Sequence, residues 1–210
     1  MNDEPIIAPQ KEPRTKSTVS FLFDALEMFA WSLFAVFLIF TFTVRLCRVD
    51  GASMENTLYE GENLLVYSLG YTPKQDDIIV FHLTKPDVDL EKTLVKRVIA
   101  TGGQELKIDF NTGEILVDGV LYDDTHAMLK DYSGQETGTY LQAALLFNGN
   151  PDYNPETNIL EVTVPDDKLF VMGDNRNWSK DSRNTDVGFV DTRCVLGKVV
   201  LRLSPFTVLS

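Results

Sequence analysis

The run MFAWSLFAVFLIFTFTV, residues 28–44, is 17 positions long and carries no charged side chain. With Ala25, Leu26 and Glu27 it makes 20 residues. As a helix rising about 1.5 Å per residue it would extend roughly 30 Å, the thickness of a bilayer's hydrocarbon core. Glu27 then falls near the interface, where an acid is tolerated. A removable leader fits less well, because its apolar core covers about 7–15 residues and ends at a small-residue cleavage site. No A-x-A follows this run, and "RLCRVDGAS" offers poor cleavage chemistry. The "VRLC" before Cys47 is a poor lipobox, since Arg45 and Leu46 stand where small or uncharged residues belong. Residues 25–45 therefore read as a retained anchor. Residues 1–24, polar at their start and carrying Pro5, Pro9 and Pro13, read as a disordered tail. Lys11, Arg14 and Lys16 precede the run while Arg45 and Arg48 follow it, a three-to-two count for a cytoplasmic N-terminus.

Beyond the anchor the pattern changes to strands. "NLLVYS", "DIIVFHL", "TLVKRVIA", "ELKIDF", "EILVDGVLY", "NILEVTV", "KLFVMGD" and "KVVLRL" are short, rich in β-branched residues and punctuated by Gly, Asp, Asn or Pro. Eight such segments with little helical periodicity predict a mainly β body over 46–210, a barrel or coiled antiparallel sheets. "TYLQAALLF", residues 139–147, is the ambiguous piece and reads as strand or short helix. It sits in a polar insertion, about 123–158, expected to be peripheral.

Charge and composition exclude several functions. The net charge of −12 argues against nucleic acid as a partner and against anchoring by a basic surface. Cys47 and Cys194 are far apart and make neither a disulfide framework nor a zinc site. His82 and His126 are the only histidines, and no HExxH string occurs. His82, inside "IIVFHL", reads as a packed strand residue. The expectation is no metal and no cofactor.

Three segments depart from generic strand and loop text: "GASMENTL" with Ser53, "LVKRVIATGGQ" with Lys96, and "VMGDNRNWSKDSRNTDVGFV". In "TLVKRVIA" alternation sends Leu94, Lys96 and Val98 to one face and Val95, Arg97 and Ile99 to the other. The ordinary reading of Lys96 is a snorkelling edge lysine. The alternative is a desolvated amine. Burial disfavours the ammonium, and a pKa brought down to about 7–8 would make a competent proton acceptor. With histidine scarce, a serine paired with that lysine is the available route to an activated nucleophile. Ser53 alone is an ordinary loop serine. The third segment packs Asp174, Asn175, Arg176, Ser179, Asp181, Ser182 and Arg183 into ten residues, and part of it reads as a polar loop held by its own ion pairs.

Taken together, these segments resemble the type I signal peptidases, the membrane-anchored Ser-Lys leader peptidases of bacteria. The family's S-M-x-P-T-L appears as "SMENTL", G-D-I-V-V-F as "DDIIVF", K-R-V-I-G-x-P-G-D as "KRVIATGGQ", and G-D-N-R-x-x-S-x-D-S-R as "GDNRNWSKDSR". The resemblance runs from the anchor to about Pro205. It implies that Ser53 is the nucleophile and Lys96 the general base, and that Ser179 orients the amine. Asp181 and Arg183 match the charged pair that holds the loop. The oxyanion region would be Ser53's own N–H with Gly51, whose place holds a hydroxyl in some members. Met54, Leu94 and Val95 are implied as substrate-binding, the last two on the strand that pairs with substrate. Implied partners are membrane-bound secretory preproteins and the bilayer, with the β domain extracytoplasmic. Asn56 stands where the family has proline, and "ATGGQ" replaces "GxPGD" while keeping Gly103.

Other readings are a specialised or inactive relative acting in pilin assembly, a tethered β-domain that only binds exported proteins, and a self-cleaving Ser-Lys regulator. Retention of Ser53, Lys96 and residues 179–183 argues against the first two. The acidic charge and the N-terminal anchor leave no place for the DNA-binding domain of the third.

Overall fold

The computed structural model describes residues 18–85, 90–129, 151–204 and 206–209. Residues 139–147, and with them the ambiguous segment, lie outside the described residues.

Helix α1 covers Thr18–Thr43. It starts earlier than the 25–45 segment expected, because "TVSFLFD" contains no helix breaker and already brings Phe21, Leu22 and Phe23. Its stretch Thr18–Thr41 is long and apolar enough to cross a membrane, and none of its most apolar window is buried in the protein. The helix also ends earlier than expected. Val44 opens β1 (Val44–Arg48), which pairs antiparallel with β2 (Asn63–Tyr67), while Ser68 N–H donates to the Thr43 carbonyl at 3.0 Å. Thr41, Thr43 and Val44 are β-branched, which makes a switch from helix to strand inexpensive here.

The body is mainly β, as expected, and consists of two antiparallel sheets. The further strands are β3 (Ile78–Lys85), β4 (Leu90–Thr101), β5 (Glu105–Asp109), β6 (Ile115–Val117), β7 (Val120–Leu121), β8 (Tyr153–Asn154), β9 (Ile159–Thr163), β10 (Lys168–Met172), β11 (Val190–Asp191), β12 (Val195–Leu203) and β13 (Phe206–Val208). The larger sheet runs β1-β2-β12-β3-β4-β10-β11, with β13 on β12; the smaller runs β7-β6-β5-β9-β8. The predicted strand "EILVDGVLY" is in fact the hairpin β6–β7. Asp118 and Gly119 both take positive φ there, as a two-residue Asp-Gly hairpin loop requires.

Three apolar clusters fill the body. Ile99, Leu106, Ile108, Leu160 and Phe170 join the small sheet to the large one. Met54, Leu58, Leu64, Val66 and Val80 lie under the turn that carries Ser53. Ile79, Phe81, Val98 and Val171 form the third, with Leu94 packed against it. Leu94 and Val98 share a cluster, as alternation along β4 demands, whereas Val95 packs with Met54. Both described ends of the 123–158 segment join the body rather than standing off it. Met128 is buried and bridges to Asn175, and β8 extends the small sheet beside β9. Polarity predicts a peripheral segment; at its described start Asp124 pairs with Arg176 and Met128 bridges to Asn175, partners that sequence patterning does not reveal.

Candidate active site

Lys96 lies on β4, opposite Ile79 of β3. On the other side β10 reaches β4 only at Arg97, where Met172 is its partner. Among the described residues, therefore, no strand pairs with that edge of β4 from Lys96 back to Leu90. Lys96 is 2 % exposed, a buried lysine rather than a snorkelling one. Its Nζ lies 2.6 Å from Ser53 Oγ and 2.9 Å from the Val95 carbonyl. Burial brings its pKa down to about 8; Asp181 and Asp174 act against that shift and Arg183 acts with it. Asp181, the partner of Arg183, nonetheless acts on Lys96. In a dry site its charge still reaches the amine, and Asp174 acts in the same direction.

Ser53 sits on a tight turn. Glu55 N–H donates to the Ala52 carbonyl at 3.0 Å, and Leu58 N–H to the Met54 carbonyl at 2.8 Å. Met54, 1 % exposed, pins the turn to the cluster beneath. Gly51 (φ +83°) and Asn56 (φ +84°) take left-handed conformations on either side of Ser53. Glycine meets that demand freely, and asparagine is the side chain that tolerates it best. Gly51 carries no hydroxyl, so the side chain at that position offers no second donor to an oxyanion.

The loop after β10 encloses the amine. Arg183 Nε and Nη2 donate to the two Asp181 carboxylate oxygens at 2.8 and 2.9 Å, both residues being buried. Burial works against the Asp181 carboxylate, yet the Arg183 charge and hydrogen bonds hold it below its ordinary value. Asp181 also accepts from Gly173 N–H at 3.0 Å, and Arg183 Nη2 donates to the Arg176 carbonyl at 2.7 Å. The Ser179 hydroxyl is buried without a close hydrogen-bond partner, near enough to Asp181 to favour its charged form. Gly173 has no room for a side chain: a Cβ there would overlap the Ser53 carbonyl oxygen and the Ser179 side chain.

Several contributors had no role assigned from sequence. Arg97, next to Lys96, places Nε and Nη2 on the Asp174 carboxylate at 2.9 and 2.8 Å. Thr57 donates to the same carboxylate. Asn175 donates from its backbone to the Ser53 carbonyl and from its amide to the Ala52 carbonyl, each at 3.1 Å. The "KR" and "GDN" strings were the available signal; which atoms they would reach was not.

A groove of about 470 Å³ opens over Ser53 and Lys96. Leu94, Val95, Val80, Met54 and Cys47 supply apolar lining, and Arg48, Asp50 and Lys92 lie among the charged residues around it. Leu94 and Val95 are half-buried, whereas Met54 contributes only floor. Chemically, the arrangement offers a hydroxyl beside an amine close to neutrality, with an apolar trough and an open strand edge alongside. No group of three or more His, Cys, Asp or Glu able to hold a metal occurs among the described residues.

A mainly β body with a serine hydroxyl against a buried lysine amine has the layout of a serine hydrolase. Residues 22–204 match the family model for signal peptidase, peptidase S26. The chain is 31% identical over 175 residues to signal peptidase IB of Staphylococcus aureus, covering 82% of this chain and 84% of that protein. It is 31% identical over 164 residues to a probable signal peptidase I-1 of Synechocystis, covering 75% and 69%. The crystal structure of a signal peptidase I from Enterococcus faecalis shares 28% identity and a TM-score of 0.36, covering 61% of this chain and 97% of that one. The chain belongs to the signal peptidase family, peptidase S26.

Proposed function

We propose that this protein is a membrane-anchored serine endopeptidase that removes signal peptides from exported preproteins, with Ser53 as nucleophile and Lys96 as general base. The observation that carries the reading is the 2.6 Å contact between Ser53 Oγ and the buried Lys96 Nζ. Family membership and the names of the relatives point to the same activity. The substrate adds as a strand along the open edge of β4 and presents small side chains, alanine-like at −3 and −1, to the trough walled by Leu94 and Val95.

In the first step neutral Lys96 takes the Ser53 proton as Oγ attacks the carbonyl carbon of the −1 residue. The oxyanion forms opposite the Ser53 N–H, with the second donor a backbone group or water because Gly51 offers no hydroxyl. The Lys96 ammonium then protonates the departing amine and becomes neutral again. A water attacks the acyl-enzyme, giving its proton to Lys96. Lys96 passes it to Ser53 Oγ as the ester bond breaks and the acyl group leaves as the signal peptide's new C-terminal carboxyl, so that Ser53 and neutral Lys96 are both restored. Asp181 and Arg183 keep the loop over the amine, and Ser179 orients it.

Helix α1 anchors the chain, with the N-terminus cytoplasmic and the β domain extracytoplasmic, where a translocated cleavage site emerges. Purified full-length protein in detergent, incubated with a preprotein bearing an Ala-x-Ala site, is expected to release the mature form, and Ser53→Ala is not. Cleavage is expected to survive EDTA. Equal cleavage by Ser53→Ala, or loss with EDTA restored by zinc, would overturn the proposal.

A further inference from the structure

Residues 124–128 form a strap between the two loops that build the site. At one end the Asp124 carboxylate pairs with the Arg176 guanidinium, which is fully buried. At the other, Met128 N–H donates to the Asp174 carbonyl at 2.7 Å, and Arg176 N–H donates to the Met128 carbonyl at 2.9 Å, a parallel bridge to the loop after β10. Between them the His126 carbonyl accepts from the Asn56 side-chain amide at 3.1 Å. The His126 ring packs edge-on against Tyr122, with Nε2 buried 3.6 Å from the Asp124 carboxylate and 3.8 Å from that of Asp174.

Asn56 lies on the nucleophile's turn, three residues after Ser53. Asn175, the strap's bridge partner, donates to the Ala52 and Ser53 carbonyls on the other side of the same turn. Hydrogen bonds and the chain between them thus close a ring: the Ser53 turn, the 174–176 segment, Met128, His126, Asn56 and back to the turn. A ring of this kind fixes where Ser53 Oγ stands relative to Lys96 more tightly than either loop could alone. We infer that Asn56 is a positioning residue, and that through it the start of the 123–158 segment seats the nucleophile against the amine. The inference rests on the peptidase reading and deepens it, since it assigns that segment a part in the reaction.

Full-length Asn56→Gly and Asn56→Asp test the inference. Glycine keeps the left-handed backbone and removes the amide; aspartate keeps the shape and sets a carboxylate against the His126 carbonyl. Both are expected to lose about tenfold in kcat with KM within about twofold, the pattern for misplacing a reacting group without touching substrate contacts. Their far-UV spectra and folded fraction at the assay temperature are expected to match wild type. Amide exchange at Met128, Asn175 and Arg176 is expected to quicken severalfold. Wild-type kcat in both variants overturns the inference, and so does a loss that tracks the folded fraction or resides in KM. Should the wild-type protein leave the preprotein intact, the peptidase reading fails by itself. The seating role then stands on quickened exchange in Asn56→Gly, and unchanged exchange overturns it.

Discussion

Lys96 Nζ stands 2.6 Å from Ser53 Oγ, on a side chain that is 2 % exposed. At that distance the proton has a direct path, and among the described residues no other side chain hydrogen-bonds the amine. Ser53→Ala and Lys96→Ala are each expected to lower kcat/KM for preprotein cleavage by on the order of 10³-fold or more, and the double variant little further, because the two act as a unit. Additive losses, or near-normal turnover of Lys96→Ala at pH 8, would show that the pair does not carry the chemistry.

The Asp181–Arg183 pair works on the amine from both sides, Asp181 raising its pKa and Arg183 lowering it. Asp181→Asn is therefore expected to move the ascending limb of the pH–rate profile to lower pH, and Arg183→Met to move it to higher pH. Each variant also leaves a buried partner uncompensated, a loss of about 3–5 kcal/mol that lowers Tm. The profiles are to be measured where both variants remain folded. Shifts of the same sign in the two would contradict the assignment.

Gly173 lies where the Ser53 carbonyl and the Ser179 side chain converge. Backbone on one side leaves the chain little room to yield, so Gly173→Ala is expected to cost about 1–3 kcal/mol of stability. Because the displaced groups belong to the two loops that form the site, kcat is expected to fall more than the loss of folded protein explains. Crystallography of the variant would show the Ser53 turn moved away from Lys96; an unmoved turn with full activity would refute the argument.

Most of the body was legible because strand alternation and turn residues are local signals, and the eight predicted segments all carry strands. β1, β8, β11 and β13 were missed because each is at most five residues long and is defined by its neighbours rather than by its own pattern. β1 also begins at Val44, the last residue of the apolar run, so its first two residues fall inside the 25–45 segment expected as anchor. In the site, Ser53, Lys96 and residues 179–183 were named because the motifs are contiguous in sequence. Arg97–Asp174, Asn175–Ser53 and Asn56–His126 join residues 77, 122 and 70 positions apart, and no spacing rule foretells such pairings. Asn56 stands in sequence as a departure from proline by a residue that also suits turns; its φ of +84° shows that a proline could not take its place in this turn.

Burial of Lys96 makes both activity and stability depend on pH. The free enzyme must hold Lys96 neutral to use it as base, so the ascending limb of kcat/KM is expected near pH 8, where burial places the amine. The same shift has a sign for stability. A lysine whose pKa is lowered on folding penalises the native state below its folded value and ceases to do so above its unfolded value. Between about 8 and 10.5 the unfolded chain binds more protons than the folded one, so this group makes stability rise with pH there. Below that window the penalty is complete, on the order of 3 kcal/mol. Lys96→Met removes it while keeping much of the volume and giving up the hydrogen bonds to Ser53 and Val95. The variant is expected to be inactive yet more stable than wild type at pH 7, by about 1–2 kcal/mol once those bonds are discounted. The gain should shrink as pH rises from 8 towards 10.5, as read by denaturant unfolding at several pH values. A methionine variant less stable than wild type at pH 7, with an ascending limb centred near 10, would mean that Lys96 is an ordinary charged lysine and no base.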